Sequence, residues 1–258
     1  MSNSFSLSLA AMDILVERQQ LGRAPMPFEV PHLGTTFEDR ARIREAVFRD
    51  LESRGLFSRG RVDPDVELAL RTIVQGPIAI IAVAQLDEGK QLFARVASDG
   101  QYAVLVRQDG NMLVFTEVRP PSIVPSIVDL LPATPPAGGQ SVTVAKPEPK
   151  QRARHSLDDD GGYDPFANVS RPRTQSTAPA QLRAVERIFQ KPKLRMGQFT
   201  AFTNGGASLT PTVWIDTPDG RYFITSRDAE DGQSWLTYAP ADSARIAHHL
   251  HGQLQGRA

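Results

Sequence analysis

The chain opens on strict alternation: Phe5, Leu7 and Leu9 are apolar, and Ser6 and Ser8 between them are polar. That is the period of a short half-buried strand, and a helix can begin as early as Ser8. Residues 9–20 follow helical spacing and stop at Gly22. Pro25, Pro27 and Pro31 then impose an extended connection, because proline lacks an N–H and restricts its predecessor. Thr35-Thr36-Phe37-Glu38 has the form of a capping box, with Thr35 expected to hold a free backbone N–H and Glu38 to reach back. Ile43, Val47 and Leu51 recur along one helical face, and Gly55 can close that helix in a left-handed cap. Asp63 followed by Pro64 predicts a third helix start, and Gly76 its end.

Beyond Pro77 the period shortens to that of strands. Residues 78–85, 92–98, 102–107 and 112–118 are separated by turn signals that include Ser-Asp-Gly and Asp-Gly-Asn, which predicts an antiparallel meander. A short helix over 122–131 follows. The carboxy-terminal part repeats this plan, with a helix near 181–190 and strands over 195–203, 212–217, 221–226 and 234–238. A helix over 242–254 closes the chain.

Sliding the chain on itself by 120 positions lays Asp99-Gly100-Gln101-Tyr102 on Asp219-Gly220-Arg221-Tyr222. Val104 then falls on Ile224, Arg107 on Arg227, Phe115 on Trp235 and Pro120 on Pro240. Two readings fit: a duplication, or two Asp-Gly hairpins that each precede a helix. A duplication predicts an α+β fold, a central antiparallel β-sheet flanked by helices, with two quasi-equivalent halves related by a pseudo-two-fold axis. Between the halves, residues 132–180 hold eight Pro and four Gly among Ser, Thr and mixed charge, with only Ser141-Val142-Thr143-Val144 able to pair as a strand. Such composition buries too little apolar surface to offset ordering entropy. The expected organisation is an amino-terminal half over 1–131, a disordered linker over 132–180 and a carboxy-terminal half over 181–258, forming one composite domain.

Composition narrows the function. Lys plus Arg and Asp plus Glu each number 29, so the net charge is zero and there is no global positive field for nucleic acid or an anionic membrane. Cysteine is absent, which excludes disulfides, thiolate metal sites and thiol nucleophiles. No apolar run reaches the roughly 20 residues of a membrane span. The amino terminus lacks the basic start of a signal peptide, so the expected location is the cytoplasm.

Candidate chemistry is sparse. His248 and His251 lie one turn apart but lack a third ligand at a fitting spacing, and imidazoles also suit a helix carboxy terminus. Asp158-Asp159-Asp160-Gly161 lacks the alternation and closing Glu of a calcium loop. Arg152, Arg154 and Ser156 resemble a basophilic phosphorylation site. An enzyme reading would need a pocket lined by Asp216, Arg221 and His248. No cofactor motif is present, and no metal site is expected.

Other motifs are more informative in combination. They are Pro27-Phe28 leading to Gly34-Thr35, then Leu51-Glu52-Ser53-Arg54-Gly55-Leu56 and Val62-Asp63-Pro64-Asp65. Far downstream come Val213-Trp214-Ile215-Asp216-Thr217, Gly220-Arg221-Tyr222 and Tyr238-Ala239-Pro240-Ala241-Asp242. In this order they resemble the EspG family of ESX (type VII) secretion-associated proteins of actinobacteria, with the long Pro/Gly-rich insertion as the main departure. The resemblance implies a cytosolic chaperone without enzymatic activity or cofactor. Its partners would be PE–PPE-type heterodimers, bound at the helical tip of the PPE-like subunit and kept soluble for export. A scaffold or regulator of a secretion locus is the alternative. The resemblance also places part of the partner surface on the loop after the first long strand, here Leu86, Asp87, Glu88, Gly89, Lys90 and Gln91. Phe199 and Phe202 join it as candidates, because alternation puts one aromatic on each strand face and leaves one free to be exposed.

Overall fold

The opening alternation forms β1 (Ser4–Ser8), and Ser8 ends it by capping α1 (Leu9–Arg18), its hydroxyl accepting from the Ala11 N–H at 3.0 Å. The computed structural model describes residues 4–87, 89–146, 179–203, 206–229 and 233–256. After the proline-rich connection comes α2 (Phe37–Ser53), capped one residue later than expected. Thr36, not Thr35, accepts from the Asp39 N–H at 3.1 Å and donates to the Asp39 carboxylate at 2.9 Å, so Asp39 takes the place foreseen for Glu38. Adjacent threonines offer the same hydroxyl at two positions, and the shorter acid selects the second.

A small hairpin of β2 (Phe57–Ser58) and β3 (Arg61–Val62) leads to α3 (Pro64–Gln75), with Asp63 as N-cap as expected. The meander is β4 (Ile78–Asp87), β5 (Lys90–Ser98), β6 (Ala103–Asp109) and β7 (Met112–Val118), followed by α4 (Ile123–Val128). The second half comprises β8 (Val142–Ala145), α5 (Pro179–Gln190), β9 (Arg195–Thr203), β10 (Ala207–Ser208), β11 (Thr212–Thr217), β12 (Gly220–Asp228), β13 (Ser234–Pro240) and α6 (Ser243–Leu254).

All of these strands except β2 and β3 join one antiparallel sheet in the order β1-β7-β6-β5-β4-β9-β11-β12-β13-β8, with β10 paired to β9. Read inward from either edge, the order is the same set of equivalents: an edge strand, the fourth, third and second meander strands, then the first. The two first meander strands, β4 and β9, pair antiparallel at the seam, where Ala82 faces Phe199. The repeat is thus a pseudo-two-fold α+β architecture. Its gapless alignment does not hold across the hairpins. Val104 pairs with Ala97, whereas Ile224 pairs with Val213 and not with Thr217. A second slip lies between the third and fourth meander strands. Phe115 pairs with Val106, whereas Trp235 pairs with Arg227, the counterpart of Arg107. The β12–β13 turn is longer than the β6–β7 turn, and a one-residue slip exchanges the faces, so the buried counterpart of Phe115 is Leu236.

Register also sorts the layers. Ala82, Ala94, Phe199, Trp214 and Phe223 share one face, which packs against Val124 and Ile127 of α4 and Ile246 and Leu250 of α6 in a single apolar cluster. The other face carries α1, α2 and α3 over the first half, around Leu15, Leu51, Leu70 and Phe115. Over the second half it carries α5, through Val185 and Ile188 against Ile215 and Tyr238. Each such fully buried aliphatic side chain contributes about 2 kcal/mol before entropy is counted.

The expectation of a disordered linker fails for residues 132–146. This stretch packs on the second half: the Arg221 N–H donates to Pro135 O at 2.9 Å, the Ala137 N–H donates to Arg221 O at 3.0 Å, and β8 pairs with β13. Composition misled because Arg221, distant in sequence, supplies what the segment's own residues lack. Residues 147–178, which include the phosphorylation-like motif at Ser156 and the run Asp158-Asp159-Asp160-Gly161, lie outside the described residues.

Candidate functional site

The end of the β4–β5 hairpin projects from the middle of the sheet, beside the seam between the halves. Register shifts between Gln85 and Asp87, so that Gln85 faces Gln91 while Asp87 faces Lys90. This bulge turns the strand end and re-aims its side chains. The Gln85 amide donates to the Asp87 carbonyl within the bulge. Gly89 has φ +72°, a left-handed turn position with open space around it. Asp87, Gly89, Lys90 and Gln91 are exposed, and Glu88 lies outside the described residues.

Leu86 is different. It is buried at 7% exposure and belongs with Leu92 to the cluster under α4 and α6. Phe199 is wholly buried in the same cluster. Phe202, on the opposite face, is half-buried and lies 5.8 Å beneath the Arg95 guanidinium. Alternation correctly separates Phe199 from Phe202, but β9 is central and helices cover both faces, so neither aromatic stands free. The structure therefore corrects the expected surface: Leu86 and Phe199 are core, and the exposed candidates are the polar residues of the hairpin end.

One contributor escaped the sequence reading. Arg195, at the start of β9, has its Nε 3.3 Å from Asp87 Oδ1 and its Nη1 3.7 Å from Asp216 Oδ2. It ties the hairpin end to a buried network in the other half. There the Arg221 guanidinium donates to Asp216 at 2.6 and 3.0 Å, to Pro132 O at 2.9 Å and to Ser243 Oγ at 3.3 Å, and it stacks 4.8 Å over Trp214. Thr134 Oγ1 donates to the same Asp216 carboxylate at 3.0 Å. No local pattern could have announced Arg195, because its partners come from β4 and β11.

Asp216 and Arg221, two members of the enzyme reading, thus neutralise each other with side chains 1% and 0% exposed. The third, His248, is exposed on α6, and it is Ser243 of that helix that reaches Arg221. Its neighbour His249 is half-buried against Phe223, with ring centroids 5.6 Å apart. Burial first, and then the His248 charge, hold the His249 imidazole below its ordinary pKa. Among the described residues no group of three His, Asp or Glu side chains is placed to hold a metal, and no helix is long and apolar enough to cross a membrane.

A pseudo-symmetric antiparallel sheet clad by helices on both faces, with a polar hairpin end beside its seam, defines the class: an α+β protein of two quasi-equivalent halves. The sequence profile of the EspG family matches residues 8–252, and the chain belongs to that family. No curated protein sequence matches. Among solved structures, the fold resembles that of the type VII secretion system chaperone EspG5 of Mycobacterium tuberculosis, determined in complex with a PE25–PPE41 dimer. The TM-score is 0.64 at 13% identity, covering 95% of this chain and 93% of that one.

Proposed function

We propose that this protein is a cytoplasmic, substrate-specific chaperone of a type VII secretion system. It binds the helical tip of a PPE-like subunit in a PE–PPE-type heterodimer and keeps the pair soluble for export. The observation that carries this reading is the family profile spanning residues 8–252, supported by the likeness to a chaperone whose structure was determined with such a dimer bound. The role is binding rather than catalysis, since the carboxylate and guanidinium that a catalytic reading would use, Asp216 and Arg221, are buried against each other.

The docking surface includes the β4–β5 hairpin end. Asp87, Lys90 and Gln91 offer charge and hydrogen bonds to the polar flank of an amphipathic helix, and Arg195 pairs with Asp87 at the base of the bulged hairpin. Co-expression with PE–PPE-like pairs from the same locus tests the reading. One pair should co-purify with the tagged chain and gain solubility, and capture of none would reject it.

A further inference from the structure

The sheet ends at β1, whose inward-facing backbone is fully used. Leu9 N–H donates to Asn111 O at 2.9 Å, and the register Leu7 to Leu113 and Phe5 to Phe115 continues that ladder toward β7. Alternation leaves the N–H and C=O of Ser6 pointing away from the sheet, as a free edge strand must. This edge is self-complementary. In the run Ser4-Phe5-Ser6-Leu7-Ser8, an antiparallel copy centred on Ser6 would set Phe5 opposite Leu7 of its mate and serine opposite serine. At the symmetry point the two Ser6 residues would exchange both backbone hydrogen bonds.

That carbonyl is already occupied. The Arg54 guanidinium donates through Nη2 to Ser6 O, and the same nitrogen lies 3.2 Å from Ser6 Oγ. Its position is set by the end of α2. Leu56 N–H donates to Leu51 O at 2.9 Å and Gly55 N–H to Glu52 O at 3.0 Å, the paired bonds of a left-handed cap with Gly55 at φ +72°. Asp50, one turn earlier, steadies the guanidinium at 3.2 Å. A hollow lined by Phe5, Ser6, Arg54, Leu56 and Val114 lies at this contact. β1 itself carries no charge, and its edge is instead covered by a charged group from the end of α2. Covering by a neighbouring element is one way a protein refuses edge-to-edge pairing.

We infer that Arg54 holds the β1 edge closed against a second copy of this chain. Sedimentation velocity on the full chain, over a range of concentrations, compares wild type with Arg54→Ala, Arg54→Met and the double variant Arg54→Ala/Ser6→Pro. Both single variants should self-associate at least about tenfold more tightly than wild type, the strength of a charged hydrogen bond withdrawn from the competing state. Ser6→Pro removes the donor at the symmetry point and should return the wild-type profile, because a proline is tolerated on an edge strand's outward side. Arg54 variants that sediment like wild type overturn the inference. Association that persists with proline at position 6 also overturns it, since it would reflect general unfolding or another surface.

Discussion

Arg40 fastens the proline-rich connection to the first half. Its guanidinium contacts both Asp13 and Glu17, and it donates to Leu33 O at 2.8 Å. Burial alone would raise the Asp13 pKa, but the Arg40 hydrogen bond, the Leu33 N–H and the nearby positive charge outweigh it and lower that pKa. With the Asp13 side chain only 11% exposed, Arg40→Met would strand a buried carboxylate and should cost about 3 kcal/mol in urea unfolding. Asp13→Asn in that background should recover part of the loss. His249 sets a different dependence. Its pKa is lower in the fold than the unfolded value of 6.5, so the fold favours the neutral ring. The contribution is present above pH 6.5 and is lost as pH falls toward and through the folded value. The neighbouring His248 adds to the effect of burial by making a second positive charge less welcome. Thermal melts between about pH 7 and pH 5 should therefore show a fall that His249→Phe reduces.

Among the elements, β9 is tightly constrained at Gly197. A methyl group on Gly197 would stand 2.5 Å from Ala84 Cβ, 2.7 Å from Val83 O and 2.9 Å from Trp214 Cζ2. The glycine lets the indole lie flat where β4, β9 and β11 meet, so Gly197→Ala should destabilise by about 2 kcal/mol, measured by chemical denaturation. Nothing in the local pattern of β9 marks this need, since the crowding comes from two other strands. Helix starts are the opposite case. Asp63 with Pro64, and Asp242, which accepts from the Arg245 N–H at 2.8 Å, were legible because a cap is satisfied within a few residues. Where two threonines could cap α2, the pattern named the wrong one. The Ser141–Val144 pattern was right about β8, but its surroundings were misjudged because Arg221 and β13 hold that segment from afar.

For the molecule as a whole, the repeat and the family motifs foretold an α+β fold with an antiparallel sheet in two quasi-equivalent halves, but not the order of its strands. The partner surface was less legible. Leu86 and Phe199 looked available because sequence shows which face a residue takes but not how many layers cover it, and helices lie on both faces of this sheet. What remains exposed at the hairpin end is Asp87, Gly89, Lys90 and Gln91, so the test of binding shifts to them. The most direct measurement is capture of a PE–PPE-like pair from the same locus by tagged wild type and by the Lys90→Glu/Gln91→Ala variant, with melting temperatures recorded alongside. Wild type should capture one pair. The variant should bind that pair at least about tenfold more weakly at an unchanged melting temperature. Capture of no pair by wild type would contradict the chaperone reading, and equal capture by the variant would remove the hairpin end from the interface.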